Sequence, residues 1–255
     1  DSIDFLAVFW GAIKAGLVPI PINTLLTSDN YAYILEDSRA QVLVVSASLY
    51  PEVSPALVNQ PYLQQVVIAG AEIEDYPLLD ELTAAASTKL SPAPTSADDV
   101  ALWLYSSGST GNPKGVKHLH TSLVYTSDTY GQQVLGITAD DIIFSTPKLF
   151  FAYGLGNSMT FPLSVGATTV LTAERSTPAL VMALLQRDQA TIYFGVPTLY
   201  AAILADDAIA SAPGSDQLRL CVSAGEALPE DIGRRWQARF GVPVIDGVGS
   251  TEMLH

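Results

Sequence analysis

The sequence predicts an α/β fold of parallel-rich sheets with helices on both faces, and three features of its 255 residues predict it. Apolar, β-branched runs recur at 41–46, 65–70, 100–106, 141–145, 168–172, 190–196, 218–224 and 243–247, with helical periodicity between many of them. Runs such as Leu218-Arg219-Leu220-Cys221-Val222 are close to continuously apolar, which suits strands covered on both faces and paired in parallel. Composition supplies the material for burial: 49% of residues are hydrophobic and 15% charged, with a mean hydropathy of +0.29, so neither disorder nor a coiled coil describes the chain.

Taken in order, Ser2 to Ala15 reads as a buried helix that turns at Gly16 into an extended Val18-Pro19-Ile20-Pro21-Ile22. The apolar segment Phe5 to Ile22 is broken by Lys14, Gly16, Pro19 and Pro21 and lacks a basic segment before it, so neither a membrane span nor a signal peptide is expected. Strands at 41–46 and 65–70 follow. Between Ala84 and Asp99 the composition turns to Ala, Ser, Thr and Pro and periodicity disappears, which marks a linker. This divides the chain into a first α/β lobe at 1–90, a linker at 91–99 and a second lobe at 100–255. The similar pieces Ser96-Ala97-Asp98-Asp99 and Thr138-Ala139-Asp140-Asp141 both feed strands, and shared turn chemistry accounts for them better than duplication does. In the last third, strand, helix, strand repeats three times, with Thr177–Asp188 placing Leu180, Met182, Leu184 and Leu185 between two strands.

Charge narrows the partners. Twelve Lys and Arg against 26 Asp and Glu leave a net charge of −14, which repels a phosphate backbone and argues against nucleic acid. The single cysteine, Cys221, falls in an apolar strand, reads as inert core and suits a reducing, cytoplasmic setting.

After the strand 100–105 comes Ser106-Ser107-Gly108-Ser109-Thr110-Gly111-Asn112-Pro113-Lys114-Gly115. Glycines let backbone N–H groups converge on one concavity, hydroxyls add donors, and Lys114 supplies a point charge, the chemistry of a polyphosphate site. Gly115, not Ser or Thr, follows Lys114, which disfavours a P-loop kinase or GTPase. A plain Gly/Ser turn is the structural alternative. His118 and His120 share a strand face by the two-residue period, but no third ligand or cysteine pair sits nearby, so zinc is not indicated. Hydrolase and dehydrogenase signatures do not occur.

The string from Tyr105 to Val116, YSSGSTGNPKGV, resembles the phosphate loop of the acyl-adenylate-forming superfamily. Two more segments agree in the same order: Ser223-Ala224-Gly225-Glu226-Ala227-Leu228-Pro229 is similar to its adenine-wall segment, and Asp246-Gly247-Val248-Gly249-Ser250-Thr251-Glu252 to its Tyr-Gly-x-Thr-Glu element. Residues 15–23 also match an early segment, so the resemblance spans nearly the whole chain. It implies that Ser106, Ser107, Gly108, Ser109, Thr110, Gly111 and Lys114 hold the pyrophosphate of ATP. Gly225, Glu226, Ala227, Asp246, Gly247, Val248, Gly249 and Thr251 would contact the adenylate. Lys114, Thr251 and Glu252 would carry catalysis, Thr251 on the α-phosphate and Glu252 as the Mg2+ ligand. Val248 stands where the superfamily commonly stacks a tyrosine on adenine, so apolar contact alone would hold the purine there.

Thr146 to Asn157, TPKLFFAYGLGN, together with Gly249 to His255, resembles the benzoate- and hydroxybenzoate-CoA ligase branch. That likeness implies an aromatic acid bound by Ala152, Tyr153, Gly225 and His255, with coenzyme A as co-substrate. Amino-acid-activating relatives carry an aspartate where Tyr153 stands, which disfavours an amino-acid substrate. On the residues alone, His255 reads equally as a donor to the acid's carboxylate or as a histidine at a helix start. The resemblance further implies the central part of the large N-terminal domain of such an enzyme, impaired alone because a ribose-binding aspartate and a lid lysine lie beyond His255. An ATP phosphotransferase and a silent ligand-binding or structural fragment are the competing readings. Which cyclic acid is used and whether the protein forms a homodimer are not written in the sequence.

Overall fold

The computed structural model describes residues 1–107 and 111–255, so Gly108, Ser109 and Thr110 of the expected phosphate loop lie outside the described residues. Helix α1 (Ile3–Lys14) starts where Ser2 Oγ accepts the Phe5 N–H at 3.4 Å. It buries Phe9 against Ala101, Leu102 and Leu104, residues of the expected second lobe. The 91–99 segment is stitched to the same helix by the Ala93 N–H donating to the Lys14 carbonyl at 2.9 Å. Gly16 takes the left-handed φ of +78° beside Ala93, where a Cβ would come within 2.7 Å of the alanine methyl. Helix α1, at the start of the expected lobe 1–90, thus packs with residues that follow the expected linker.

That sheet pairs β1 (Val42–Ser46) with β2 (Gln65–Ala69) in parallel, with α2 (Ser28–Asp37), α3 (Tyr50–Val53) and α4 (Leu79–Ala85) in the same stretch of chain. Its core is Tyr31, Val45, Val53, Ala56, Val66 and Ile68. Next, β3 (Val100–Ser106) and β4 (Lys114–Leu119) form an antiparallel hairpin, a departure from the parallel pattern that the short connection dictates. Helix α5 (His120–Thr126) runs on into a π-helical stretch, Ser127–Val134. His120 therefore opens a helix, and the strand face it was expected to share with His118 does not exist.

The remainder is a five-stranded parallel sheet ordered β6-β5-β7-β8-β9, with β5 (Ile142–Ser145), β6 (Thr168–Val170), β7 (Ile192–Gly195), β8 (Leu220–Ser223) and β9 (Val244–Asp246). Between β5 and β6 run α6 (Ala152–Leu155), a π-helical Gly156–Thr160 and α7 (Phe161–Val165). Helices α8 (Pro178–Asp188), α9 (Pro197–Ala205) and α10 (Glu230–Phe240) make the later crossovers. Period-two alternation sends Phe144, Tyr193 and Cys221 to one face against Val181, Tyr200 and Trp236. Ile143, Ile192, Phe194 and Val222 go to the other, against Leu135 and Phe161. Both faces are covered, as continuous apolar strands require, and burial pushes the Cys221 thiol up to about 12. No helix among the described residues is long and apolar enough to cross a membrane.

Candidate functional site

Parallel strands all end on the same side of the five-stranded sheet, and the candidate residues after β8 and β9 collect at that carboxyl end, where α/β sheets bind ligands. The loop after β8 carries Gly225, Glu226 and Ala227; the loop after β9 carries Gly247, Val248 and Gly249. With Asp246 these seven line one cleft of about 440 Å³. Asp246 joins its two walls, its carboxylate accepting the Leu228 N–H at 3.2 Å. Gly225 has φ +93°, a left-handed turn that a side chain would strain. Val248 stands 93% exposed at the cleft, an apolar face available to a flat ligand.

Next to this cleft lies an aromatic cluster. A Cβ added at Gly247 would meet Tyr130 Oη first, at 3.5 Å. The ring of His255 packs among Phe161 at 4.7 Å, Tyr130 at 4.8 Å and Tyr153 at 5.3 Å between centroids. Its Nε2–H donates to Asn157 Oδ1 at 2.8 Å, which leaves Nδ1 as the acceptor nitrogen. Burial lowers the His255 pKa to about 4, so the ring is neutral at pH 7. The Tyr153 hydroxyl lies 3.2 Å from the Val222 carbonyl and 3.3 Å from that of Gly195, at the ends of β8 and β7. Burial raises its pKa well above the ordinary value and keeps it a neutral donor. Of the four expected acid-binding residues, Tyr153 and His255 meet here and Gly225 lines the cleft. Ala152 turns instead into the core with Leu149 and Leu155.

The third part is the hairpin. Ser106 pairs with Lys114 at its turn end, so the connection that holds Ser107 and Gly111 leaves and returns at one point. Gly111 has φ +105°. Tyr105 donates to Asp37 Oδ2 at 2.6 Å and ties this end of the hairpin to α2. Thr251 and Glu252 sit on a 3-10 turn, Thr251–Met253, capped by Ser250 Oγ accepting the Met253 N–H at 3.3 Å. Beneath it, buried His118 donates from Nε2–H to the Thr251 carbonyl at 2.8 Å. Glu252 borders a separate hollow of about 230 Å³ together with His118, Thr121, Ser122 and Tyr125. Hydrogen bonds from its own amide and from the Ser250 hydroxyl lower the Glu252 pKa and favour the carboxylate.

The structure thus joins the two expected adenylate segments in one cleft and sets Tyr153 edge-on to His255, while Glu252 faces a neighbouring hollow. Sequence reading missed His118 as a partner of Thr251, Asn157 as a partner of His255, and Tyr130 and Phe161 as walls. Only Asn157 left a signal, a lone amide in an apolar helix.

The sequence profile of a family described as AMP-binding enzyme matches residues 1–255. The benzoate–CoA ligase of Thauera aromatica is 56% identical over 255 residues, which is 100% of this chain and 48% of that protein. The 4-hydroxybenzoate–CoA/benzoate–CoA ligase of Rhodopseudomonas palustris is 48% identical, over 100% of this chain and 47% of its own length. The chain spans about half the length of the curated relatives it matches. Among solved structures, a benzoate CoA ligase from Burkholderia xenovorans LB400 superposes with a TM-score of 0.91 at 43% identity, over 100% of this chain and 50% of that one. The anthranilate CoA ligase AuaEII in complex with anthranoyl-AMP superposes with a TM-score of 0.96 at 36% identity, over 100% of this chain and 49% of that one.

Proposed function

The chain belongs to the AMP-binding enzyme family, and from that premise we propose that the whole protein activates a benzoate-like aromatic carboxylate with ATP and transfers it to coenzyme A. One observation carries the reading: a cleft built from both adenylate segments opens beside a cluster of four aromatic rings at the same end of the sheet. An aryl-adenylate has that division, a polar nucleotide and a flat apolar ring. The similarity to relatives named for benzoate and hydroxybenzoate supports the ring class.

In the first step a carboxylate oxygen bonds to the α-phosphorus of ATP and pyrophosphate leaves with the electron pair of the broken P–O bond. In the second, the CoA sulfur bonds to the acyl carbon, AMP leaves, and the thiol proton goes to solvent. On this reading Ser106, Ser107, Gly111 and Lys114, with Gly108, Ser109 and Thr110 of the same loop, bind the departing pyrophosphate. The Thr251 hydroxyl orients the α-phosphate, and Tyr153 with His255 forms the wall for the ring. Among the described residues no three of His, Cys, Asp and Glu converge on a metal site. A lone ionised carboxylate, Glu252, nevertheless fits Mg2+, which keeps its waters and takes further oxygens from phosphates. Bound there, Mg2+ would offset the repulsion between two anionic reactants. A cytoplasmic setting belongs to the same proposal, supported by the buried thiol of Cys221.

The test is a calorimetric titration of this chain with a non-hydrolysable benzoyl-adenylate mimic, beside the same mimic without the ring and the variants Lys114→Ala and Glu252→Ala. Saturable binding that needs the ring is expected, as is AMP, not ADP, from the whole protein turning over. Binding indifferent to the ring, or ADP as product, would overturn the aryl-ligase reading.

A further inference from the structure

The proposed ATP site is assembled from two parts that have no covalent reason to stay in register. Lys114 and the loop it closes belong to the β3–β4 hairpin, whereas Thr251 and Glu252 lie on a turn that follows β9. A triphosphate bound as proposed must touch both, so their separation has to be fixed before the ligand arrives. Among the described residues one polar cross-link joins them: the His118 Nε2–H to the Thr251 carbonyl, 2.8 Å long and 133 residues apart in sequence.

The donor is well placed for that task. His118 lies on β4, four residues after Lys114 on the same strand, opposite Leu102 in the ladder. It is 4% exposed, so the imidazole cannot swing away to water. Fixing the Thr251 carbonyl fixes the peptide plane between Thr251 and Glu252, and with it the directions in which the hydroxyl and the carboxylate leave the backbone. The same carbonyl also accepts the Leu254 N–H at 3.3 Å within its own turn. Removing His118 therefore does not orphan a buried acceptor; it removes the tie between the two parts. Burial lowers the His118 pKa, which keeps the ring neutral with one N–H to give.

We infer that His118 is a positioning residue, holding the Thr251–Glu252 turn in register with the Lys114 hairpin so that a ligand bridging the two binds to a preformed frame. This rests on the ATP reading proposed above. The consequence is specific to bridging ligands. AMP needs only the turn and the cleft, pyrophosphate only the hairpin, and neither gains from the register between them, whereas ATP uses both and gains the advantage of preorganisation.

The experiment titrates this chain with ATP, AMP and pyrophosphate in turn, ATP with Mg2+ and the other two without it, for the unaltered protein, His118→Leu, which keeps volume and removes the donor, and His118→Gln, which restores an N–H at similar reach. Thermal melting of each variant checks that it is folded. Loss of one hydrogen bond predicts ATP affinity about three- to tenfold weaker in His118→Leu. AMP and pyrophosphate should each stay within about twofold, and His118→Gln should recover most of the ATP affinity. Three ligands weakened alike, or ATP unaffected in folded His118→Leu, would overturn the inference. If His118→Leu does not fold, His118→Gln carries the test alone, with ATP affinity retained as the expected result and selective loss of ATP binding as the contrary one. Absence of ATP binding by the unaltered chain, or ATP binding indifferent to Lys114→Ala and Glu252→Ala, would instead remove the ATP reading, and this inference with it.

Discussion

His255 shows how one side chain's environment decides between two roles that its identity leaves open. The sequence allowed a donor to the acid's carboxylate or a histidine engaged by its own fold. The structure spends the Nε2–H on Asn157 and surrounds the ring with Tyr130, Tyr153 and Phe161. A neutral ring with its donor engaged offers a proposed benzoate a flat edge and an acceptor nitrogen. It does not offer a cation. The pH consequence has a definite sign. A folded pKa of about 4, below the ordinary histidine value of 6.5, means that the unfolded chain binds the extra proton first. Stability from this group is complete above about pH 6.5 and falls as pH drops through 4, by about 3 kcal/mol in all. Proton NMR titration, with the resonance assigned through His255→Gln, should give a midpoint near 4, and the loss of stability between pH 6.5 and 4 should be smaller in the variant; His118, also lowered, contributes in the same direction. A midpoint near 6.5 would place the ring in water.

At the scale of elements, legibility followed the locality of the signal. The strands other than β4 were readable because each is a short apolar run, and α8 because Met182, Leu184 and Leu185 face inward as expected, with Val181 buried where Leu180 was expected. The two similar acidic pieces proved to be the same turn: the Ser96 N–H donates to Asp99 Oδ2 at 2.7 Å and the Thr138 N–H to Asp141 Oδ2 at 2.8 Å. What the second turn adds was not legible. Asp141 also receives Arg219 at 2.7 Å and the Thr191 hydroxyl at 2.7 Å, partners 78 and 50 residues away, so β5, β7 and β8 are fastened through one carboxylate. Burial alone would raise its pKa, but these donors outweigh burial and hold it at about 2. The π-helical stretches at 127–134 and 156–160 were equally hidden, since their apolar spacing resembles that of an ordinary helix. They matter because they carry Tyr130 and Asn157 to His255.

The packing of α1 was not legible in the sequence, and it has an energetic consequence. A composition shift shows where a chain is unstructured, not which side of it a helix will pack against. Phe9 is 2% exposed and stacks edge-on with Trp10 at 5.3 Å, in the core that includes Leu102 and Leu104 of β3. Phe9→Ala should therefore cost about 3–5 kcal/mol, and the loss should appear in hydrogen exchange of β3 and α5 more than in β1 and β2. Faster exchange confined to β1 and β2 would show that residues 1–90 behave as one lobe after all.

For the whole molecule, charge sets the terms on which a ligand arrives. A net charge of −14 surrounds a site proposed for an anionic nucleotide and an anionic acid. The positive charge of Lys114 offsets only a small part of the repulsion of the acidic surface, and both act over the Debye length. Salt screens the net repulsion. The association rate of ATP should consequently rise as ionic strength increases from about 0.01 to 0.15 M, where the Debye length shrinks from about 30 to 8 Å, by a factor of about two to three. Stopped-flow fluorescence with a labelled ATP analogue at a series of salt concentrations measures this directly, with Lys114→Ala as the comparison. The variant should associate more slowly and show a steeper rise with salt, since it keeps the repulsion and has lost the opposing charge. A rate that falls with salt in the unaltered chain would mean that the cleft is locally positive despite the acidic whole, and that steering toward it does not depend on the net charge.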